Sequence, residues 1–304
     1  MLLLFLYDYY FKIRVVYILL MLKLSLIIPV YNEERHIRRC LDAVEAQTVM
    51  PDEVIVVDNN CSDRTIEIAK GYDFVRIVKE KRQGRGYARS AGFNTAKYEV
   101  LGRIDADSIV EADWVEKMKG YFEQDAELSG ATGLARTAFF PGVNTVKNEL
   151  YSRAYFWFAH AGFNTITMWG ANMAIRRSAW QVVADKVLDN DRSLHEDQDL
   201  SLWMAAEGDK IVQFSAPIIT TEGQSYRYLP KLLRYVRMYQ RSLQVHKSNG
   251  NFSDSRMNKL GRLHTLPGRL YAVLPAILLA LYAVVLFPVD YLVNKYRPDS
   301  WWLD

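Results

Sequence analysis

The sequence predicts an α/β fold on a mostly parallel sheet, and three observations predict it. Short apolar runs rich in β-branched residues recur at Leu24–Val30, 53–57, 74–78 and 99–104. Segments of helical length separate them. Polar or acidic residues follow the strand ends: Tyr31, Asp58, and the pair Asp105 and Asp107. Strands alternating with helices are βαβ units, and strands apolar on both faces lie inside parallel sheets. In such sheets ligands bind beyond the carboxyl ends of the strands.

Each element has its own reason. Asn32 is expected to cap the first helix, with Glu33 and Glu34 in a first turn whose dipole favours anions. Ile37, Leu41 and Val44 give that helix an apolar stripe. Ser62 or Asp63 caps a second helix through Thr65, Ile66 and Ala69, and 84–97 is a glycine-punctuated third. Farther on, Leu128–Thr137, 170–175 and 210–214 read as strands, and 197–207 as a helix. Segment 144–163 is aromatic-rich, either a buried helix or one that touches lipid. Segment 229–246 is a basic amphipathic helix bearing Lys231, Arg234, Arg237 and Arg241, either a solvated face or a membrane-surface element. Residues 249–255 read as a linker.

Composition narrows the function. A chain of 304 residues, half of them hydrophobic, is expected to form one large domain or one domain plus an appendage. A net charge of +3 makes no case for nucleic acid. Cys40 and Cys61 have no metal-ligand spacing, which fits a reducing setting. The apolar stretch 1–22 contains Asp8, Lys12 and Arg14 and no cleavage site. It is either an untranslated stretch before Met21 or a weak membrane-surface anchor. Segment 270–293 has about the 20 residues that cross a bilayer, and its one charge is Asp290. Its alternative is a buried or interfacial helical hairpin. Arg256, Lys259, Arg262 and Arg269 precede it, against Lys295 and Arg297 after it, so the positive-inside tendency leaves the main domain in the cytoplasm.

The chemistry centres on Arg103-Ile104-Asp105-Ala106-Asp107-Ser108. In an extended strand, residues i and i+2 share a side. Two carboxylates held together repel unless a cation lies between them, and Mg²⁺ or Mn²⁺ takes such oxygens while bridging to substrate phosphates. The alternative is a loop that caps a helix starting near Glu111.

Other motifs follow in order: Pro29-Val30-Tyr31-Asn32-Glu33-Glu34, then 57–65 with Asp58, then Gly84, Arg85, Gly86 and Arg89. After Asp105 and Asp107 come Gly170-Ala171-Asn172 and His195-Glu196-Asp197. In this order the chain resembles family 2 glycosyltransferases of the GT-A fold, over most of residues 24–215. The resemblance implies a nucleotide-diphospho-sugar donor whose base and ribose lie against Pro29, Tyr31, Glu33 and Asp58. Asp105-Ala106-Asp107 resembles the family's DXD, which holds Mg²⁺ or Mn²⁺ on the diphosphate. Asp197 matches the aspartate of the ED motif, the general base. Arg85 and Arg89 are implied as donor contacts. Asn172 is read as an acceptor-side residue, and Glu196 either orients Asp197 or faces the acceptor.

Several residues carry a second reading. Tyr31 fits a core aromatic or a substrate contact. Asp199 faces solvent or aids Asp197, and His195 is a hydrogen-bonding neighbour rather than a metal ligand. Arg89 stands where a dinucleotide fingerprint needs its third glycine, which disfavours a dehydrogenase. No Gln-x-x-Arg-Trp follows the ED motif, so a single transfer is expected rather than processive synthesis. One base and no evident nucleophile favour inversion.

The expected organisation is a hydrophobic stretch at 1–22 and a catalytic GT-A domain at 23–229. A basic juxtamembrane region at 230–265, a transmembrane or re-entrant hydrophobic helical segment at 266–293 and a tail at 294–304 follow. The expected acceptor is lipid-linked or a cell-envelope glycan, at the cell membrane with the catalytic domain facing the cytoplasm. A polyprenyl-phosphate sugar synthase and a membrane-anchored, non-catalytic sugar-nucleotide binder are the alternatives.

Overall fold

A computed structural model describes residues 22–137, 156, 165–191, 193–221 and, within a further helix, 234, 237–238, 241–242 and 244–246. The elements are β1 (Leu24–Val30), α1 (Ile37–Glu45), β2 (Glu53–Asp58), α2 (Thr65–Ala69), β3 (Val75–Lys79), α3 (Arg85–Thr95) and β4 (Val100–Ile104). Then come β5 (Ser108–Val110), α4 (Trp114–Gln124), β6 (Leu128–Thr137), β7 (Asn172–Arg176), α5 (Arg177–Val183), α6 (Glu196–Glu207) and β8 (Lys210–Thr221).

The eight strands form one sheet in the order β3-β2-β1-β4-β7-β6-β8-β5. The first half is parallel, as the βαβ pattern predicts. The second half corrects the expectation of a mostly parallel sheet. There β7 runs antiparallel to β4 and β6, and β5 antiparallel to β8, while β6 and β8 are parallel. The reversal has a consequence at the sheet edge. Asn172, which opens β7, pairs with Ile104, which closes β4, so the loop before β7 arrives where β4 ends.

Alternation along β1 divides the core. Leu24, Leu26, Ile28 and Val30 pack with Ile37, Leu41 and Val44 of α1 and Trp114, Met118 and Phe122 of α4. Ile27 packs on the other face with Ala88 and Phe93 of α3, Trp180 of α5 and Leu200 and Met204 of α6. The sheet is therefore covered on both sides, which is why its central strands are apolar throughout. Helix α3 lies flush on the sheet at Gly92. A Cβ there would stand 2.4 Å from Ile27 Cγ2.

Some boundaries differ from expectation. Asn32 does not cap α1, which starts at Ile37. Asn32 has φ 55° and its amide oxygen accepts the Ser62 N–H at 2.8 Å, so it ties two strand-end turns together. The N-cap of α2 is Arg64 rather than Ser62 or Asp63, and Asp63 just before it accepts the Thr65 N–H at 3.0 Å. The strand β5 precedes the helix expected near Glu111, which begins at Trp114. Lys231, residues 144–163 apart from Phe156, and the stretches 1–21, 249–255, 266–293 and 294–304 lie outside the described residues. Among the described residues, no helix is long and apolar enough to cross a membrane. The helical residues within 234–246 are amphipathic: Arg234, Arg237 and Arg241 are exposed, while Met238, Ser242, Val245 and His246 are buried.

Candidate active site

The chain leaves β1 toward β2 and β3 on one side, and β4 returns on the other. That reversal makes the carboxyl ends of β1 and β4 the crevice where open α/β sheets bind ligands. Tyr31 follows β1 and is 53 % exposed, so it is not a core aromatic. Pro29 lies half-buried within β1, and Asp58 pairs in register with Val30 at the adjacent tip. The Asp58 carboxylate accepts the Cys61 N–H at 2.9 Å. The Glu33 carboxylate stands 2.9 Å from His36 Nδ1, and the Glu33 N–H donates to Thr65 Oγ1 at 2.7 Å. Burial, reinforced by Asp58 and Asp63, pushes the Cys61 thiol up to about 11, so it carries no thiolate chemistry near neutrality.

Asp105 and Asp107 do not share one side of an extended strand. The strand β4 stops at Ile104, and 105–107 form a turn closed by the Ser108 N–H on the Asp105 carbonyl at 3.0 Å. The turn lies between β4 and β5, whose partner is β8. Asp105 keeps 43 % of its side chain exposed and pairs with Arg103 at 3.2 Å.

Arg103 is the residue that sequence reasoning left without a role. Its side chain is 3 % exposed, and Nη2 reaches both Asp105 Oδ1 and, at 2.9 Å, Glu196 Oε1. Its Nε and Nη1 are buried with no hydrogen-bond partner among the described residues. Gly170 lies directly against this guanidinium, since a Cβ there would come within 2.6 to 2.8 Å of its atoms. The Gly170 N–H in turn donates to Asp197 Oδ2 at 3.0 Å. One buried cation thus joins Asp105 to Glu196 and backs the glycine that orients Asp197. A charged residue inside an apolar central strand was the available signal.

Asp197 is largely buried in the first turn of α6, and its Oδ1 accepts the Gln198 N–H at 2.8 Å. Its neighbour Glu196 is held well below the usual carboxylate range. Burial opposes that, but Arg85, Arg103 and Arg89 outweigh it. Burial also works against the Arg103 cation, but Glu196, Asp105 and Asp197 outweigh it and hold that guanidinium up. Asp105 shifts the other way. Burial raises it, with Glu196 and Asp197 adding to the effect and Arg103 and Arg85 opposing it. Its open surface moderates that burial.

Asp105 and Asp107, as oxygen donors in one turn, suit a hard divalent cation that takes its other ligands from phosphate and water. Among the described residues no group of three or more His, Cys, Asp or Glu side chains is arranged for a metal, so two carboxylates are what this turn offers.

Four of the expected site residues are turned into the protein. Arg89 does not face a donor: it is fully buried, holds Asp189 at 2.6 Å and donates to the Glu196 carbonyl. Asn172 does not face an acceptor. Its amide accepts from Trp114 Nε1 at 2.9 Å and donates to the Leu134 carbonyl at 3.0 Å, inside the core. Glu196 turns to Arg103, with Arg85 Nε 3.8 Å away, as suits the reading that it orients its neighbour Asp197. Asp199 is buried against His246 and does not face solvent. Arg85 itself is half exposed, and His195 stands at the N-terminal boundary of α6.

Comparison with known proteins bears on the family and the fold. The family model described as Glycosyl transferase family 2 matches residues 25–183, more than half of the chain. The probable glycosyltransferase YdaM of Bacillus subtilis is 30 % identical over 213 residues, covering 64 % of this chain and 50 % of YdaM. Glycosyltransferase AglE of Haloferax volcanii is 39 % identical over 100 residues, 31 % of this chain and 33 % of AglE. The chain therefore spans half or less of these relatives' lengths. Among solved structures, the mannosyltransferase PcManGT from Pyrobaculum calidifontis, in complex with GDP-Man and Mn²⁺, superposes with TM-score 0.57 at 18 % identity. That match covers 91 % of this chain and 81 % of PcManGT. Glucosyl-3-phosphoglycerate synthase from Mycobacterium tuberculosis, in complex with Mn²⁺, UDP-glucose and phosphoglyceric acid, gives TM-score 0.53 at 18 % identity, covering 77 % and 81 %. The fold is GT-A, and the chain belongs to glycosyl transferase family 2.

Proposed function

We propose that the protein is an inverting glycosyltransferase that moves a sugar from a nucleotide-diphospho-sugar to an acceptor hydroxyl, with Asp197 as general base. The observation that carries this reading is the Arg103 junction. It joins the Asp105 turn to Glu196 at the switch point of the sheet and backs the Gly170 amide that holds Asp197. Pro29, Tyr31, Glu33 and Asp58 border the same crevice and offer the base and ribose side. Arg85, half exposed beside Glu196, is placed to meet diphosphate charge.

Asp105 and Asp107 would hold Mg²⁺ or Mn²⁺, which supplies positive charge for a departing diphosphate. Neighbours solved with GDP-Man and Mn²⁺, or with UDP-glucose and Mn²⁺, support that donor and metal class. Asp197 takes the acceptor proton as attack proceeds, once its carboxylate lies within hydrogen-bond reach. Two amides orient its oxygens for that task.

The acceptor we propose is lipid-linked or a cell-envelope glycan, with the 23–229 domain on the cytoplasmic face of the cell membrane. The apolar 266–293 sequence and the exposed Arg234, Arg237 and Arg241 support that placement.

The test is a thermal-shift screen of UDP-, GDP- and dTDP-sugars with Mn²⁺, followed by turnover with the donor that shifts the protein. Asp105→Ala should abolish both the shift and turnover. Asp197→Asn should keep donor binding and lose transfer by about 10²- to 10⁴-fold. Substantial transfer by Asp197→Asn would instead mark an already ionised phosphate acceptor, as in a polyprenyl-phosphate sugar synthase. Binding without turnover in the unaltered protein would mark a sugar-nucleotide binder.

A further inference from the structure

The first turn of α6 is held from behind by a residue far along the chain. His246 Nε2 stands 2.7 Å from Asp199 Oδ1, and the two side chains are 2 % and 1 % exposed. The imidazole also packs edge-on against Trp203, with ring centroids 5.4 Å apart. The other oxygen of Asp199 accepts the Leu188 N–H at 2.7 Å. The next residue, Asp189, holds Arg89, and Arg89 donates to the Glu196 carbonyl. The chain of contacts from His246 therefore returns to the residue just before Asp197.

Helix geometry gives this its meaning. Residues two apart in an α-helix stand about 200° apart around the axis. Asp197 accepts from Gly170 on one side of α6, and Asp199 is gripped on the other. A grip at the back resists rotation of the turn about its axis, and rotation would sweep Asp197 off its line to an acceptor. A buried carboxylate keeps such a place only while its partners remain. His246 also lies outside residues 25–183, the part matched by the family model. It sits on the helix whose exposed side carries Arg234, Arg237 and Arg241.

We propose that His246 is a positioning residue for the transfer reaction: by gripping Asp199 from the helical residues within 234–246, it sets the orientation of the α6 first turn and so of Asp197. The inference rests on Asp197 being the base. It ties the seating of the basic helix to the chemistry, while donor and metal binding stay independent of it.

The experiment uses the full chain with the donor found by thermal shift and compares His246→Ala, His246→Gln and Asp199→Asn. His246→Ala should lower kcat for transfer by about 10- to 100-fold, the scale of a small misplacement of a reacting group. Donor KM should change by less than about 2-fold, because α6 positions the base rather than the donor. The shift produced by donor with Mn²⁺ should persist. His246→Gln, which can still donate to Asp199, should recover much of the loss. The His246→Ala/Asp199→Asn double variant should be little worse than either single one, as residues acting through one contact are.

Wild-type kcat in His246→Ala, with only a lowered melting temperature, would overturn the proposal. So would a parallel collapse of kcat and donor binding that glutamine does not relieve. If the alanine variant does not fold, hydrogen exchange in Asp199→Asn, which weakens the grip from the other side, decides. Faster exchange confined to 193–200 supports the role, and unchanged exchange there overturns it. Failure of the base assignment itself is read separately, as normal transfer by Asp197→Asn.

Discussion

Arg103→Gln would leave the buried Glu196 beside a neutral side chain and take from the more open Asp105 its cation. Breaking a buried ion pair by removing one partner costs about 3–5 kcal/mol, because the remaining charge keeps its desolvation penalty. We expect a loss of that size in urea unfolding, and a smaller one when Glu196→Gln is added, since the second change removes the uncompensated charge. Arg103→Lys should recover only part, as a single ammonium lacks the guanidinium's planar set of donors. The sequence points to the acids at this site but not to the cation that joins them. Asp105, Asp107 and Asp197 are visible from motif order, whereas Arg103 stands inside a strand and meets a partner 93 residues away. Asn172 and Asp199 mislead in the opposite direction. Both are polar residues beside motifs, yet their partners, Trp114 and His246, draw them inward. Side-chain type and spacing reveal neither pairing.

Elements are legible where local pattern and burial agree. The strands β1, β2 and β4 are nearly continuous apolar runs because helices cover both faces of the sheet. The three-residue β5 exists through its pairing with β8, so nothing in its own residues announces it. Helix α1 starts late because Asn32 spends its side chain on the Ser62 amide. Helix α3 allows an element-scale prediction. Alanine at Gly92 would improve helix propensity by about 1 kcal/mol, but its Cβ would meet Ile27 Cγ2 at 2.4 Å and Val57 Cγ2 at 3.1 Å. Both neighbours are fully buried and β-branched, so they have little room to turn aside. Overpacking of this kind costs about 1–3 kcal/mol. Gly92→Ala should therefore lower the urea midpoint without altering the donor-dependent thermal shift, since α3 meets the sheet there and not the crevice.

At the scale of the molecule, carboxylates stitch distant parts of the chain together, and this fixes the response to acid. Glu53 of β2 accepts from Ser25 Oγ at 2.7 Å and from the Lys97 N–H at 2.9 Å, and pairs with Arg76 of β3 at 2.6 Å. Burial opposes its charge, but those partners outweigh burial and hold its pKa below the ordinary 4.5. Glu196 is likewise held low: burial opposes, and Arg85, Arg103 and Arg89 prevail. A carboxyl depressed in the folded state contributes stability that is whole above its unfolded pKa and is lost as pH falls through the folded one. Asp105, raised by burial and by Glu196 and Asp197, has the opposite sign: its contribution is present below 3.8 and is lost as pH rises through its folded value. Its ionised form thus works against the fold near neutrality, where a cation at the turn would offset it. Two measurements follow. The melting temperature should fall as pH drops below about 4.5, where the unfolded chain begins to bind protons that the folded glutamates resist. Glu53→Gln should melt lower at pH 7 but lose less on acidification, so that its curve and the parent's converge toward acid. Curves that stay parallel down to low pH would mean that Glu53 is bridged by shape alone and that its charge contributes nothing to holding β1, β2 and β3 together.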